Sequence, residues 1–244
     1  MDIRWLSAFI DQPESTFEEG SRFWQTVTGS GISPRRGDHE EFATLLPPTG
    51  DPFLRVQRTA DGSAGVHLDI HVGDIAAATR GAAALGAIQL ADHGYSVMSS
   101  PAGFVFCIVL HHGEGRVPDA LAAPPHVLDQ ICLDIPAPAF ATECQFWEAM
   151  TGGARRVGSR PEFEYLVRDP ALPLRLLFQR LDDDDPGAGA RAHLDFACGD
   201  HREAVAAEHD RLGGERIGTW DRWVSRRDPS GLPYCLTGRE PLVW

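Results

Sequence analysis

The 244 residues contain no apolar run of about 18 and no charged, apolar, small-residue leader at Met1. Neither membrane insertion nor export is expected, and the cytoplasm is the expected compartment. Cysteine is scarce: Cys107, Cys132, Cys144, Cys198 and Cys235 are scattered, odd in number and without a Cys-x-x-Cys pair. That argues against a disulfide framework or a zinc knuckle. Most of them lie in apolar runs and read as small buried hydrophobes. Positive charge is also short, since 22 Lys and Arg against 35 Asp and Glu leave a net charge of −13 and a pI near 5.1. Such a field repels phosphate backbones, so nucleic acid is not an expected partner. No Gly-rich phosphate loop, serine nucleophile elbow or His-Glu-x-x-His occurs. The run Asp182-Asp183-Asp184-Asp185 lacks the alternate spacing and closing Glu of a calcium loop and reads as a solvated turn.

What is present is enough to fold. Hydrophobic residues make up 43% of the chain, with 6 Trp and 12 Phe for cores and 25 Gly and 18 Pro for many tight turns. The chain also repeats itself. Val66-His67-Leu68-Asp69-Ile70-His71-Val72 returns as Ala192-His193-Leu194-Asp195-Phe196-Ala197-Cys198, and each copy runs into Gly-Asp. Apolar and polar residues alternate in both, which predicts a half-buried strand with His and Asp on the face opposite Leu and Ile or Phe. Phe17 answers Phe140, and Phe23-Trp24 answers Phe146-Trp147, at a constant spacing of 123 residues. Gln57-Arg58 matches Gln179-Arg180, and Pro101-x-Gly103 matches Pro229-x-Gly231. Insertions are therefore confined to loops, and two similar domains are expected over 1–112 and 125–244, joined by a polar linker near 111–125.

Inside each half the order strand, helix, strand, strand and plausibly a further strand occurs twice. Helices are expected at about 17–27 and 75–85, with Phe17, Phe23, Trp24 and Val27 at helical spacing as a core-facing stripe. The His-x-Asp pairs admit two readings: i and i+2 on one strand face can simply support each other, with Arg58 or Arg180 as further partners, or they bind a ligand. His71 has no echo, because Ala197 replaces it. Trp5, Tyr95, Tyr165, Trp220 and Trp223, with Arg55, Arg175, Arg226 and Arg227, gather near strand ends, where they read either as packing or as walls for small planar or anionic molecules.

Four β-α-β-β-β units, Phe-Trp late in each first helix, the His-Leu-Asp strands and the Pro-x-Gly before a final apolar strand together resemble the vicinal oxygen chelate superfamily, in its glyoxalase-like and bleomycin-resistance-like branch. The resemblance implies an α+β fold of tandem glyoxalase-like domains. In each, two paired modules curl an eight-stranded sheet into a cup, with helices outside and ligand or metal inside.

The same resemblance implies site positions. The first-strand metal position falls on Ser7 and Gln130, the second-module position on His67 and His193, and the last-strand position, commonly Glu, on Cys107 and Cys235. Gln57 and Gln179 match the fourth. The glutamate is thus absent twice, leaving Gln130, His193 and Cys235 as the expected metal set and Asp195 as orienter or catalytic base. His67, Gln57, Gln179 and Trp223 are expected to bind ligand. The implied function is a small-molecule protein with metal-assisted lyase, isomerase or dioxygenase chemistry, using zinc, iron, nickel or manganese. The alternatives are a metal-free drug-binding or resistance protein, and a chain in which one cup has lost its site and supports the other. The expected partners are a small molecule and, for a homodimer rather than a monomer, a second copy, with no membrane.

Overall fold

The computed structural model describes residues 1–60, 62, 64–113, 115–122, 125–185, 187 and 189–241. Of the expected linker, residues 114, 123 and 124 lie outside the described residues. In the first half, β1 (Ile3–Pro13) and α1 (Phe17–Val27) lead to β2 (Gly31–Ile32), β3 (Phe42–Leu46) and β4 (Leu54–Thr59). The pattern repeats as β5 (Gly65–Val72), α2 (Ile75–Ala84), β6 (Ile88–Asp92), β7 (Ser96–Ser99) and β8 (Val105–Leu110). After a short β9 (Leu121–Ala122), the second half follows with β10 (Pro125–Ile135), α3 (Phe140–Thr151), β11 (Arg155–Val157), β12 (Phe163–Leu166) and β13 (Arg175–Arg180). It closes with β14 (Arg191–Ala197), α4 (Arg202–Arg211), β15 (Glu215–Thr219), β16 (Trp223–Arg227) and β17 (Pro233–Thr237).

The two halves hydrogen-bond into sheets of the same order, β2-β3-β4-β1-β5-β8-β7-β6 and β11-β12-β13-β10-β14-β17-β16-β15, with β9 added to β10. β5 runs parallel to β8 and β14 parallel to β17, while the hairpins within each unit are antiparallel. This is the α+β arrangement of four β-α-β-β-β modules in two unclosed sheets with helices on the outside.

Local chemistry explains the element ends. The side chain of Asp74 accepts from Ala77 N and caps α2. At the end of α3, Gly152 takes φ +71°, a left-handed value that a residue without Cβ reaches without strain. In α1 the expected stripe of Phe17, Phe23, Trp24 and Val27 is buried.

By packing, the chain resolves into two compact units. The first is Met1–Ala8, His67–Gly115 and Ile131–Ala192; the second is Phe9–Val66, Arg116–Gln130 and His193–Trp244. In the first, Trp147 of α3 meets Phe106 of β8 edge-on at 5.2 Å. Glu143, fully buried, accepts from Trp147 Nε1 at 2.7 Å and from Ala102 N at 2.8 Å. In the second, Trp24 of α1 lies parallel to Phe196 of β14 at 6.2 Å, and its Nε1 donates to Asp228 at 2.7 Å. A helix of one half therefore covers strands of the other. Each buried indole contributes about 3–5 kcal/mol against truncation, and its ring N–H is matched by a carboxylate rather than left bare.

Candidate functional site

On β14, Phe196 points at the helices, where it meets Trp24 and His209 of α4. Strand alternation then aims His193 and Asp195 at the other, concave face. The strand was expected to be half-buried; in it His193 is 8% and Asp195 2% exposed.

The second unit assembles the floor of this face from three strands. Parallel pairing of β14 with β17 sets Asp195 opposite Cys235. His193 Nε2 stands 3.3 Å from Asp195 Oδ1, and Gln130 Nε2, from β10, donates to Asp195 Oδ2. The His193 contact is close but poorly aligned, so Asp195 Oδ1 is buried without a hydrogen bond. Burial pushes the Cys235 thiol above its ordinary range, opposed by a hydrogen bond and charge from His193. Ser225 Oγ lies 3.4 Å from Cys235 Sγ. Trp223, two residues before Ser225 on β16, shares that face, half-buried.

The first unit repeats the arrangement with other residues. Asp69 lies opposite Cys107 in the parallel β5/β8 register, and His67 Nε2 is 4.0 Å from Asp69 Oδ1. One ligand atom from each of His67, Asp69 and Cys107 lies within 4.8 Å of the other two. Further along the same face His71 Nε2 meets Ser7 Oγ at 2.7 Å, both buried, so the first-strand Ser7 is engaged with a histidine that the second half lacks.

The remaining expected residues are placed separately. Gln57 on β4 is half-buried and paired in register with Phe42. Gln179 Oε1 on β13 lies 4.0 Å from Cys132 Sγ, which is equally far from Asp134. Arg58 pairs with Glu14 at 3.1 Å and Arg180 with Asp183 at 2.9 Å. Within the acidic run, two hydrogen bonds from Arg191 and one from Gly187 N hold the Asp185 carboxyl down to about 2. The sequence does not single out Asp69 as a metal donor, nor Ser225, nor the pairing of Ser7 with His71. The i, i+2 spacing from His67 to Asp69 was the signal for the first; nothing local signalled the others, which meet only across strands.

A sequence model described as a glyoxalase-like domain matches residues 7–109 and 130–237. The chain belongs to the glyoxalase-like domain family. It is a tandem member of the vicinal oxygen chelate superfamily. No curated protein matches it in sequence. Among solved structures it is similar to a mutant of 4-hydroxymandelate synthase from Streptomyces coelicolor, with 16% identity, 97% of this chain and 92% of that chain covered, and a TM-score of 0.63. It is also similar to the 2,3-dioxygenase LapB from Pseudomonas sp. KL28 (14% identity, 100% and 98% covered, TM-score 0.62) and to the Mn(II)-bound glyoxalase from Novosphingobium aromaticivorans (16% identity, 99% and 83% covered, TM-score 0.61). At these identities the likeness is one of fold.

In this glyoxalase-like chain the donor chemistry decides whether a metal fits. Imidazole, carboxylate and sulfur from His67, Asp69 and Cys107 are zinc-type donors, and ligand atoms already within 4.8 Å need little movement to converge. In the second half Gln130 is engaged through its amide N–H with Asp195, and burial pushes the Cys235 thiol above its ordinary range.

Proposed function

We propose that the chain takes a small organic molecule onto the concave faces of its sheets, and that the first half works with a divalent cation held by His67, Asp69 and Cys107. The observation that carries this reading is the mutual approach of those three ligand atoms to within 4.8 Å on adjacent parallel strands. A divalent cation in that position supplies Lewis-acid polarisation of a substrate oxygen, which accords with the dioxygenases and the Mn(II)-bound glyoxalase among its structural relatives. The sulfur of Cys107 in place of a carboxylate favours zinc over manganese. Around that centre the chain's own residues orient and exchange protons. Ser7 and His71 form a buried hydroxyl–imidazole pair able to pass a proton along one hydrogen bond.

A second reading applies to the second half, favoured by the protonated Cys235 thiol and the Gln130–Asp195 hydrogen bond. There the floor binds ligand without metal, His193 making the hydrogen bond to it and Gln130 and Asp195 holding each other beneath.

Elemental analysis tests the first reading. After reconstitution with zinc, iron, nickel or manganese, the protein is expected to retain stoichiometric metal, and His67→Ala to lose it. Failure to retain any of the four metals refutes it. Titration of a small-molecule panel by Trp fluorescence tests the second: saturable binding that chelator leaves unchanged and His193→Ala weakens is expected, and binding that chelator abolishes contradicts it.

A further inference from the structure

The hairpin of β15 and β16 carries two indoles in parallel. Trp220 and Trp223 stack with centroids 5.4 Å apart and planes 10° apart. Trp220 is nonetheless 42% exposed, a large apolar surface left to water. It lies where it does because position 218 has no side chain. A Cβ on Gly218 would stand 2.5 Å from Cη2 and 2.6 Å from Cζ3 of Trp220. Gly218 follows a register shift in the hairpin and pairs with Ser225, so it shares the concave face with Ser225, Cys235 and Trp223. The bulge, the glycine and a backbone bond from Trp220 N to Trp223 O together leave room on that face for the edge of the exposed indole. The first half has the same hairpin without the platform. Ala91 follows the matching register shift, and His93 and Tyr95 stand in place of the tryptophans with rings tilted 53°.

We propose that the Trp220–Trp223 pair is a binding platform for a flat aromatic or heteroaromatic ring, which continues the stack on the open face of Trp220. Parallel indoles offer extended π surface with matched orientation, and an offset-stacked third ring gains more from it than a saturated ring of equal size. The proposal names the ligand class for the second half and rests on its reading as a small-molecule site.

The test compares binding of 2-naphthoate and 2-naphthol with their decahydro counterparts by calorimetry, in wild type, Trp220→Leu, Trp220→Phe, Gly218→Ala and His193→Ala. We expect the planar probes to bind at least ten-fold more tightly than the saturated ones. Trp220→Leu and Gly218→Ala should erase that preference and Trp220→Phe should keep most of it, with unfolding midpoints close to wild type throughout. Equal affinity for planar and saturated probes, or an undiminished preference in Trp220→Leu, overturns the platform while leaving the small-molecule reading intact. Absence of binding by all four probes overturns both. Association of the protein with itself that Trp220→Leu abolishes, without probe binding, assigns the indoles to a protein interface and overturns the platform.

Discussion

Replacing His209 by leucine is expected to flatten the acid side of the stability curve. His209 is 1% exposed, ringed by Phe23, Phe196 and Tyr234, and burial pushes its pKa down to about 3, with neighbouring His126 and Arg226 acting in the same direction. Arg226 Nε donates to Tyr234 Oη at 2.9 Å, and that hydroxyl shares a hydrogen bond with His209 Nδ1 at 3.0 Å. Nε2 is buried without a partner, so the imidazolium, which carries N–H on both nitrogens, would leave one of them buried and unmatched. The unfolded chain binds the second ring proton near pH 6.5 and the folded chain does not. Stability is therefore fully present above about pH 6.5 and is lost as pH falls toward about 3. The slope is ~1.4 kcal/mol per pH unit, giving ~2 kcal/mol lost by pH 5 and ~5 kcal/mol over the whole window. Urea unfolding at about pH 7.5 and about pH 5 reads this directly. His209→Leu loses a hydrogen bond and starts lower, yet its difference between the two pH values should be smaller than that of wild type by ~2 kcal/mol. An unchanged difference would refute the assignment of the acid loss to this ring.

Three further substitutions probe the polar matches beneath the helices. Glu143→Ala strips the acceptor from Ala102 N and Trp147 Nε1 in the first unit and should lower unfolding free energy by about 2–4 kcal/mol, read by denaturant titration. Trp24→Phe removes the donor from Asp228 Oδ2, while Ser230 and Leu232 keep their bonds to Oδ1, so a loss of about 2–3 kcal/mol is expected in the same assay. Arg239→Ala takes the two-pronged partner from Asp129, 1% exposed, and should cost about 3–5 kcal/mol; a thermal shift no larger than that of an exposed pair such as Arg4–Asp2 would contradict it.

Much of this molecule was legible before its coordinates. The stripe Phe17, Phe23, Trp24 and Val27 marked α1 to the residue, since side chains three and four apart share one helical face. The doubled His-x-Asp pattern marked β5 and β14 as strands, because period-two alternation is a local property, while their place at the centre of each sheet comes from pairing between distant segments. What escaped depends on neighbours far apart in the chain. No periodicity tells that α1 covers Phe196, which is 172 residues beyond Trp24, or that Ser7 will meet His71. Alternation predicts a half-buried strand, and the fuller burial of His193 and Asp195 comes from across the sheet, where Gln130 and Cys235 arrive from flanking strands. Gln57 and Gln179 were placed by likeness alone, and of the two Gln179 lies against a polar partner, Cys132.

The proposed cation site at His67, Asp69 and Cys107 is tested most directly by titrating the metal-free protein with cobalt(II) and following the near-ultraviolet thiolate-to-cobalt band. The proposal predicts a saturable, stoichiometric band that Cys107→Ser removes and Cys235→Ser leaves in place. A titration without that band, or one whose band survives in Cys107→Ser, would contradict it.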